Sequence, residues 1–260
     1  MYRGDNKMLD ILKKGRDEFG VVALKAEFEA EGTRKDEFSR LLELANKAGL
    51  KVALKIGGCE AVSDLLTSRV CGVDYIIAPM VETPYALSKF IEAKTKVYGE
   101  NPAQTEFLFN LETQTTLDNL DEMVAIAKGN VDGIVFGRVD FTLSKGLGRG
   151  VINDEEITRS VLQVAKACRD ADLELVTGGG VAIESIPALR EFRSVRLDRF
   201  ETRKVIFDGA AVEKDNIEAG IENAVAFELA WLKAKREYYL SAANEDLTRI
   251  EMIESRTKKS

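Results

Sequence analysis

The chain has 260 residues, of which 45% are hydrophobic and 31% are charged, and its formal net charge is −7. This composition excludes a disordered or low-complexity chain, and the length suits one large domain or two small ones. The negative charge excludes nucleic acid as the main partner, because binding to phosphates needs a surplus of basic residues.

The chain contains no histidine, which excludes Ser-His-Asp and Cys-His catalysis and zinc sites with His ligands. Any reaction must therefore use carboxylates, Lys, Arg, Tyr, backbone amides or a metal bound by oxygen. Three cysteines without CxxC spacing predict a reduced, cytoplasmic protein without a zinc site. No apolar run approaches the roughly 18–20 residues that cross a bilayer, so we expect no membrane partner.

Short β-rich segments alternate with amphipathic segments along most of the chain. We predict strands at residues 21–29, 51–58, 73–83, 106–113, 131–137, 173–179 and 195–207. Strands separated by helices indicate βα units and a parallel sheet. An eighth strand would either lie near the N-terminus or be part of 195–207.

The two faces of these strands differ in polarity. In 106–113, large apolar side chains share one face, and Leu108, Asn110 and Glu112 share the other. In 21–29, the second face likewise carries Lys25 and Glu27. One bulky apolar face and one small or polar face predict an α/β protein with a (β/α)8 TIM barrel, since a doubly wound sheet would bury both faces.

After about residue 213 the pattern changes to two long helices, with a break at 241–244. We predict a catalytic barrel domain at 1–212 and a C-terminal helical extension at 213–260. The extension either closes the barrel as a helical hairpin or is an arm that packs on a neighbouring subunit. The second interpretation predicts a homo-oligomer, because Trp231, Tyr238 and Tyr239 are large side chains to leave in water.

Barrel enzymes carry their catalytic groups at the C-terminal ends of the strands. Glu112 and Asp140 follow successive predicted strands, and hard oxygen ligands at such positions suit Mg²⁺ or Mn²⁺. Both carboxylates could instead cap the helices that follow. Thr177 begins a TGGG turn that either binds phosphate or only forms the turn. Arg203 either binds a substrate carboxylate or phosphate, or balances Glu201.

Three segments together resemble one known family. VDGIVFGRVDFTLSKG (131–146) is similar to the signature of the HpcH/HpaI aldolase/citrate lyase beta-subunit family, roughly VDGIFIGPADLSxSLG. EFLFNLETQTTLDNLDEMV (106–124) resembles the preceding strand and helix of that family, and VDYIIAPMVETPYAL (73–87) resembles its fourth strand. The resemblance extends over residues 20–146 and fades beyond 150.

This resemblance implies that Glu112 and Asp140, the Glu and Asp of the family's fifth and sixth strands, hold Mg²⁺ or Mn²⁺. It also implies that the backbone N–H groups of Gly137, Arg138 and Val139 bind the carboxylate of a small keto acid. The implied function is a metal-dependent carbon–carbon lyase or aldolase that acts through a metal-stabilised enolate of a pyruvate-like donor.

The chain also departs from the family pattern. The His base of the aldolase branch is absent, and the second strand reads KAEFEAEG (25–32), which leaves Glu29, Glu27 or Lys25 to move the proton. Lys55 replaces the third-strand Arg that meets the substrate oxygen, and Arg138 replaces a Pro. The family's first strand is not visible.

Three other functions remain open from the sequence. The first is a CoA-thioester lyase of the citryl- or malyl-CoA type, since that branch also lacks the His. The second is a metal-free aldolase in which Lys25 or Lys55 forms a Schiff base. The third is a catalytically silent barrel that binds a metabolite, which a closed network of ion pairs at the mouth would favour.

Overall fold

The computed structural model describes residues 5–100 and 104–257. Within these ranges, eight strands close in chain order into one barrel. They are β1 to β8, at Val21–Glu27, Lys51–Lys55, Tyr75–Ala78, Glu106–Leu111, Gly133–Gly137, Glu174–Gly178, Arg199–Glu201 and Val205–Asp208. The closed barrel confirms the predicted fold class.

The same ranges contain ten α-helices, most of which pack around the barrel. They are α1 to α10, at Asp5–Lys14, Lys35–Ala48, Val62–Cys71, Pro84–Tyr98, Gln114–Asp118, Leu120–Ala127, Arg138–Ser144, Glu155–Ala171, Ile186–Val195 and Ile217–Thr257. No helix in the described part of the chain combines the length and the apolar composition that a membrane span requires.

The last strand runs in the opposite direction to the other seven. Strands β1 to β7 pair in parallel, whereas β8 is antiparallel to both β7 and β1. Only three residues separate β7 from β8, which is too short for a parallel crossover, so the two strands form a hairpin. The N–H of Thr202 donates to the carbonyl of Val205 across this turn, at 2.9 Å.

The predicted segment 195–207 therefore supplies two strands, and residues 5–19, which precede β1, are helical. Glu112 and Asp140 follow β4 and β5 of this barrel, not its fifth and sixth strands as in the family pattern. The reversed β8 closes the ring next to β1.

The barrel interior is apolar toward the N-terminal ends of the strands. Its buried side chains are Ala23, Ala53, Tyr75, Ile77, Leu108, Val135, Val176 and Ile206. At the N-terminal end of the interior, the guanidinium carbon of Arg199 lies 4.1 Å from the centre of the Tyr75 ring. Arg199 also forms ion pairs there with Glu106 and Glu174. Charged side chains of the interior therefore form two groups: this one at the N-terminal end, and a second in the C-terminal half, where the predicted site lies.

The outer faces of the strands pack against the helices, as the alternation of polarity predicted. Phe107, Phe109 and Leu111 of β4 are fully buried in this outer core, while Leu108 points into the barrel. Each second residue of β4 beyond Leu108 therefore also faces the barrel axis, which places Asn110 and Glu112 at its C-terminal mouth.

The C-terminal extension is one helix of 41 residues, so the predicted break at 241–244 is wrong. This segment, SAAN, contains neither Gly nor Pro, and its two alanines favour helix. The first part of α10 packs on the body of the protein through residues that include Phe227 and Trp231, whereas every residue from Leu240 to Thr257 is exposed.

Candidate active site

Five charged side chains lie inside the C-terminal half of the barrel and are each less than 10% exposed. They come from the ends of β1, β2, β4 and β7: Lys25, Glu27, Lys55, Glu112 and Glu201. Because the C-terminal ends of parallel strands meet at one rim, the chain brings these distant residues together. Glu29, which follows β1, joins them from the rim.

Lys25 is held between two carboxylates. Its Nζ lies 2.5 Å from Oε1 of Glu201 and 3.1 Å from Oε1 of Glu27. Burial alone lowers the pKa of Lys25, but Glu201 and Glu27 outweigh burial, so this pKa is raised above its ordinary value. Burial likewise raises the pKa of Glu27, and Lys25 outweighs it, so that pKa is lowered. Lys25 is therefore an ammonium group at neutral pH.

Lys55 makes a second pair of contacts nearer the rim. Its Nζ lies 3.4 Å from Oε2 of Glu112 and 3.2 Å from Oε2 of Glu29. Burial lowers the pKa of Lys55, but Glu112 and Glu29 outweigh it, so this pKa is raised. A Schiff base requires a neutral amine. The charge state of both lysines therefore argues against the lysine-aldolase interpretation.

Glu112 is oriented by two groups that the sequence analysis did not single out. The backbone N–H of Met80 donates to its Oε1 at 2.9 Å, and Nδ2 of Asn110 donates to its Oε2 at 2.5 Å. Met80 has a φ of +51°, which is unusual for a residue with a side chain. The alternation of β4 could have identified Asn110, whereas nothing in the sequence indicates the backbone of Met80.

Asp140 lies in the first turn of α7 and is exposed. Within the described ranges it has no hydrogen bond or ion pair. Gly137, which ends β5 three residues earlier, lies against Glu112: a Cβ on Gly137 would be 3.1 Å from Oε2 of Glu112. The structure thus places the start of α7 beside Glu112, and the Asp140 carboxylate is exposed in the first turn of that helix.

The donor groups at the mouth suit a hard divalent cation. The buried cluster and Glu29 together contain four carboxylates and two ammonium groups, a formal charge of −2. Oδ1 of Asn110 and Oε2 of Glu201 are buried and accept no hydrogen bond in the described structure. The described residues contain no cluster of three or more Asp, Glu or Cys side chains that could hold a metal ion without other ligands. However, Mg²⁺ commonly binds one or two carboxylates together with water and substrate.

Arg138 is fully buried and its guanidinium is directed toward β6. It donates to the carbonyl of Gly178 at 3.2 Å, to Oδ1 of Asn153 at 2.9 Å and to Oγ of Ser185 at 3.3 Å. No carboxylate in the described ranges pairs with it, and burial lowers its pKa to about 10. Its side chain thus joins three segments, and its backbone nitrogen lies beside Gly179 in the turn after β6.

Two predicted substrate-binding residues do not join the charged cluster. Thr177 follows Val176, which faces the barrel interior, so its fully buried side chain lies on the outer face of β6. Arg203 lies in the turn between β7 and β8, where its Nε is 2.9 Å from Oε1 of Glu31. Lys25, rather than Arg203, is the partner of Glu201.

The turn after β6 approaches the start of α7 so closely that only glycine fits. Gly179 has a φ of +79°, and a Cβ there would be 2.6 Å from the nitrogen of Val139 and 2.7 Å from that of Arg138. Gly72 has a similar φ of +66° and open space around it.

We expect Gly179→Ala to lower the free energy of unfolding by about 2 kcal/mol more than Gly72→Ala does, because only Gly179→Ala adds a clash to the backbone strain. Urea unfolding of the two variants measures this difference. Equal losses of unfolding free energy in the two variants would show that the backbone around Gly179 shifts enough to accommodate a Cβ atom.

A closed barrel whose C-terminal mouth holds buried charged groups is the architecture of a barrel enzyme. Residues 42–186, more than half of the chain, match the HpcH/HpaI aldolase/citrate lyase family. The chain therefore belongs to this family, whose members are carbon–carbon lyases. The match also confirms the family resemblance and the enzyme class that the sequence predicted.

Solved structures share the fold at low sequence identity. The HpcH/HpaI aldolase from Desulfitobacterium hafniense DCB-2 is 14% identical with a TM-score of 0.59, covering 79% of this chain and 84% of that chain. An HpcH/HpaI aldolase/citrate lyase family protein from Burkholderia cenocepacia J2315 is 13% identical with a TM-score of 0.61, covering 92% and 90%. RipC from Yersinia pestis is 14% identical with a TM-score of 0.52, covering 80% and 88%. No curated protein matches the chain.

Proposed function

We propose that the protein is a divalent-metal-dependent carbon–carbon lyase that acts on a small keto acid with a pyruvate-like donor. The observation that carries this proposal is the environment of Glu112. This buried carboxylate is held by Met80 and Asn110 in a cluster with a formal charge of −2, beside the turn that carries Asp140. Glu112 and Asp140 would hold the cation, and members of the family are generally metal dependent.

Bound there, Mg²⁺ or Mn²⁺ would supply a Lewis acid for the keto group of the substrate. The ammonium group of Lys55 faces the same end of the barrel and would donate a hydrogen bond to the substrate oxygen that gains negative charge. The backbone N–H groups of Gly137, Arg138 and Val139 would hold the substrate carboxylate, as the family resemblance implies.

Glu29 is the best candidate for moving the proton of the donor methyl group. Its side chain is 29% exposed at the rim and contacts Lys55. Glu27 and Lys25 are paired with each other, and Lys25 is also paired with Glu201, so a proton transfer to either would break a buried ion pair.

The second candidate function is a catalytically silent barrel that binds a metabolite. The observation in its favour is the network of ion pairs made by Lys25 and Lys55 at the mouth. Against it, this network leaves two excess negative charges, and Asp140 has no partner in the described ranges. A structure in which these groups only stabilised the fold would be expected to balance its buried charges.

Exchange of the pyruvate methyl protons in deuterated water tests the proposal without knowledge of the acceptor. We expect the methyl proton signal to decay with Mg²⁺ or Mn²⁺ and to persist with excess EDTA. Exchange that continues in excess EDTA, together with a covalent adduct between the protein and pyruvate after borohydride reduction, would instead establish a lysine Schiff base.

Two results without exchange would redirect the proposal. Cleavage of citryl- or malyl-CoA would identify the thioester lyase. A rise in melting temperature with keto acids, but no turnover of either substrate type, would support the silent barrel.

A further inference from the structure

Four residues form one row across neighbouring strands at the C-terminal end of the barrel. Gly137 of β5 and Gly178 of β6 are register partners. The same register, continued by one residue, aligns Gly137 with Glu112 after β4 and Gly178 with Glu201 of β7. Both glycines face the interior, because the residues two positions earlier in each strand do. The row therefore has a carboxylate at each end and no side chain in the middle.

The two carboxylates extend over the glycines between them. A Cβ on Gly137 would lie 3.1 Å from Oε2 of Glu112, and a Cβ on Gly178 would lie 2.7 Å from Oε1 of Glu201. The carboxylates thus lie over two adjacent strands, and adjacent strands are about 4.8 Å apart. Carboxylates at such a spacing can share one Mg²⁺, which binds one or two carboxylates and completes its shell with water and substrate.

One oxygen of Glu201 has no hydrogen-bond donor. Glu201 is 4% exposed, and its Oε1 contacts Nζ of Lys25 at 2.5 Å, whereas its Oε2 is buried and accepts no hydrogen bond in the described structure. Oδ1 of Asn110 is buried in the same way, and Nδ2 of this side chain lies 4.0 Å from the Cβ position of Gly137. Buried acceptors cost free energy unless a donor or a cation satisfies them, so the interior beside this row suits a ligand with positive charge.

We propose that Oε2 of Glu201 is a further ligand of the divalent cation. The inference rests on the proposed function and adds a residue of β7 to the ligands Glu112 and Asp140. Lys25 contacts Oε1 of Glu201, so a cation at Oε2 leaves this ion pair in place. Asp140 is not grouped with Glu112 and Glu201 in the described structure, so its exposed side chain would join the cation by turning inward from α7.

The charge of the cluster is consistent with a cation at this depth. Four carboxylates and two ammonium groups leave a formal charge of −2, which one divalent cation neutralises. A cation held only at the rim would leave the carboxylate of Glu201 with a buried oxygen that nothing satisfies. A cation between Glu112 and Glu201 instead places the missing positive charge among the buried groups that need it.

Mn²⁺ binding, followed by the electron paramagnetic resonance signal of the free ion, tests the proposal without any turnover. Glu201→Gln and Glu27→Gln are a matched pair, because both residues are buried, both contact Lys25, and each substitution changes the formal charge of the cluster from −2 to −1. We expect Glu201→Gln to weaken Mn²⁺ binding about a hundredfold and Glu27→Gln about tenfold, since only Glu201→Gln removes a ligand. Equal losses would reflect charge alone and would overturn the proposal.

A second comparison moves the carboxylate without changing any charge. In Gly178→Ala the new Cβ would lie 2.7 Å from Oε1 and 2.9 Å from Cγ of Glu201, so this side chain must shift. Gly58→Ala is the control, because the Cβ position of Gly58 has nothing within 4 Å. We expect Gly178→Ala to weaken Mn²⁺ binding about tenfold and Gly58→Ala to leave it unchanged. Native Mn²⁺ affinity in Gly178→Ala would refute a ligand at Glu201.

The same titrations separate this inference from the proposed function. A native chain that does not bind Mn²⁺ would overturn both. Native binding that is lost in Glu112→Gln, together with equal effects of Glu201→Gln and Glu27→Gln, would overturn only the role of Glu201. Melting temperatures are measured in parallel. If a single variant is unfolded, the comparison is made between the two double variants that also carry Lys25→Met, in which no lysine is left beside a missing carboxylate.

Discussion

Glu112→Gln is expected to lower the rate of metal-dependent methyl exchange by about a thousandfold, the loss that corresponds to about 4 kcal/mol of transition-state stabilisation. Gln has nearly the shape of Glu and its carbonyl oxygen can still accept the Met80 N–H bond. The variant therefore removes the negative charge of the ligand with little change in packing. It also reduces the formal charge of the cluster from −2 to −1, which weakens its attraction for a divalent cation.

The experiment compares the exchange rate and the Mn²⁺ affinity of Glu112→Gln with those of Glu184→Gln. Glu184 is an exposed carboxylate in the segment after β6, outside the charged cluster. It controls for the loss of one negative charge near the mouth. We expect Glu184→Gln to retain native exchange and affinity. An exchange rate for Glu112→Gln within tenfold of the native rate would show that Glu112 does not hold the metal.

Strand alternation predicted which of these side chains face the barrel interior. Because side chains alternate along a strand, Phe107, Phe109 and Leu111 were predicted on the face opposite to Glu112. The same alternation placed Lys25 on the polar, inner face of its strand. This works because a barrel with a helical shell has two chemically different strand faces, so a one-residue shift would bury charge among the helices. The inner position of each charged residue therefore follows from its neighbours in sequence.

The features that the sequence analysis missed have different physical causes. The reversal of β8 follows from the short connection between β7 and β8. This connection could not be recognised while residues 195–207 were predicted as one strand. The continuity of α10 through 241–244 depends on the absence of a helix breaker, which outweighs the polar composition of that segment. The hydrogen bond from the Met80 N–H to Glu112 depends on the positive φ of Met80. Methionine does not favour that backbone conformation, so the sequence gives no sign of this bond.

The absence of histidine is consistent with this arrangement of lysines and carboxylates. Lys25 and Lys55 stand at neighbouring strand ends, and each contacts two carboxylates. Two fixed ammonium groups provide positive charge at the mouth over the whole neutral range, which an imidazole would not. The two lysines differ in their surroundings. Both lysines are 7% exposed, but Lys55 contacts Glu29, whose side chain is 29% exposed, whereas both partners of Lys25 are buried. We therefore propose substrate binding for Lys55 and a stabilising role for Lys25.

Lys25→Met is accordingly expected to lower the free energy of unfolding at pH 7 by about 3–5 kcal/mol, the usual loss when one member of a buried ion pair is removed. Met fills the space of the lysine stem, so the loss comes from the carboxylates of Glu27 and Glu201, which remain buried without a cation. Adding Glu201→Gln to Lys25→Met should recover part of the loss, because it removes one of those charges. A double variant less stable than Lys25→Met alone would contradict this explanation.

The dependence on pH separates lost charge pairing from lost packing. In the native protein Lys25 lowers the pKa of Glu27 below its ordinary value near 4.5. This stabilisation is therefore present above pH 4.5 and is lost as the pH falls through the lower value in the folded state. In Lys25→Met, Glu27 binds a proton more readily, and protonation removes the cost of burying its negative charge. Urea unfolding should thus show a large deficit for Lys25→Met at pH 7 that shrinks toward pH 4. A deficit independent of pH would mean that Lys25 contributes mainly through packing of its stem.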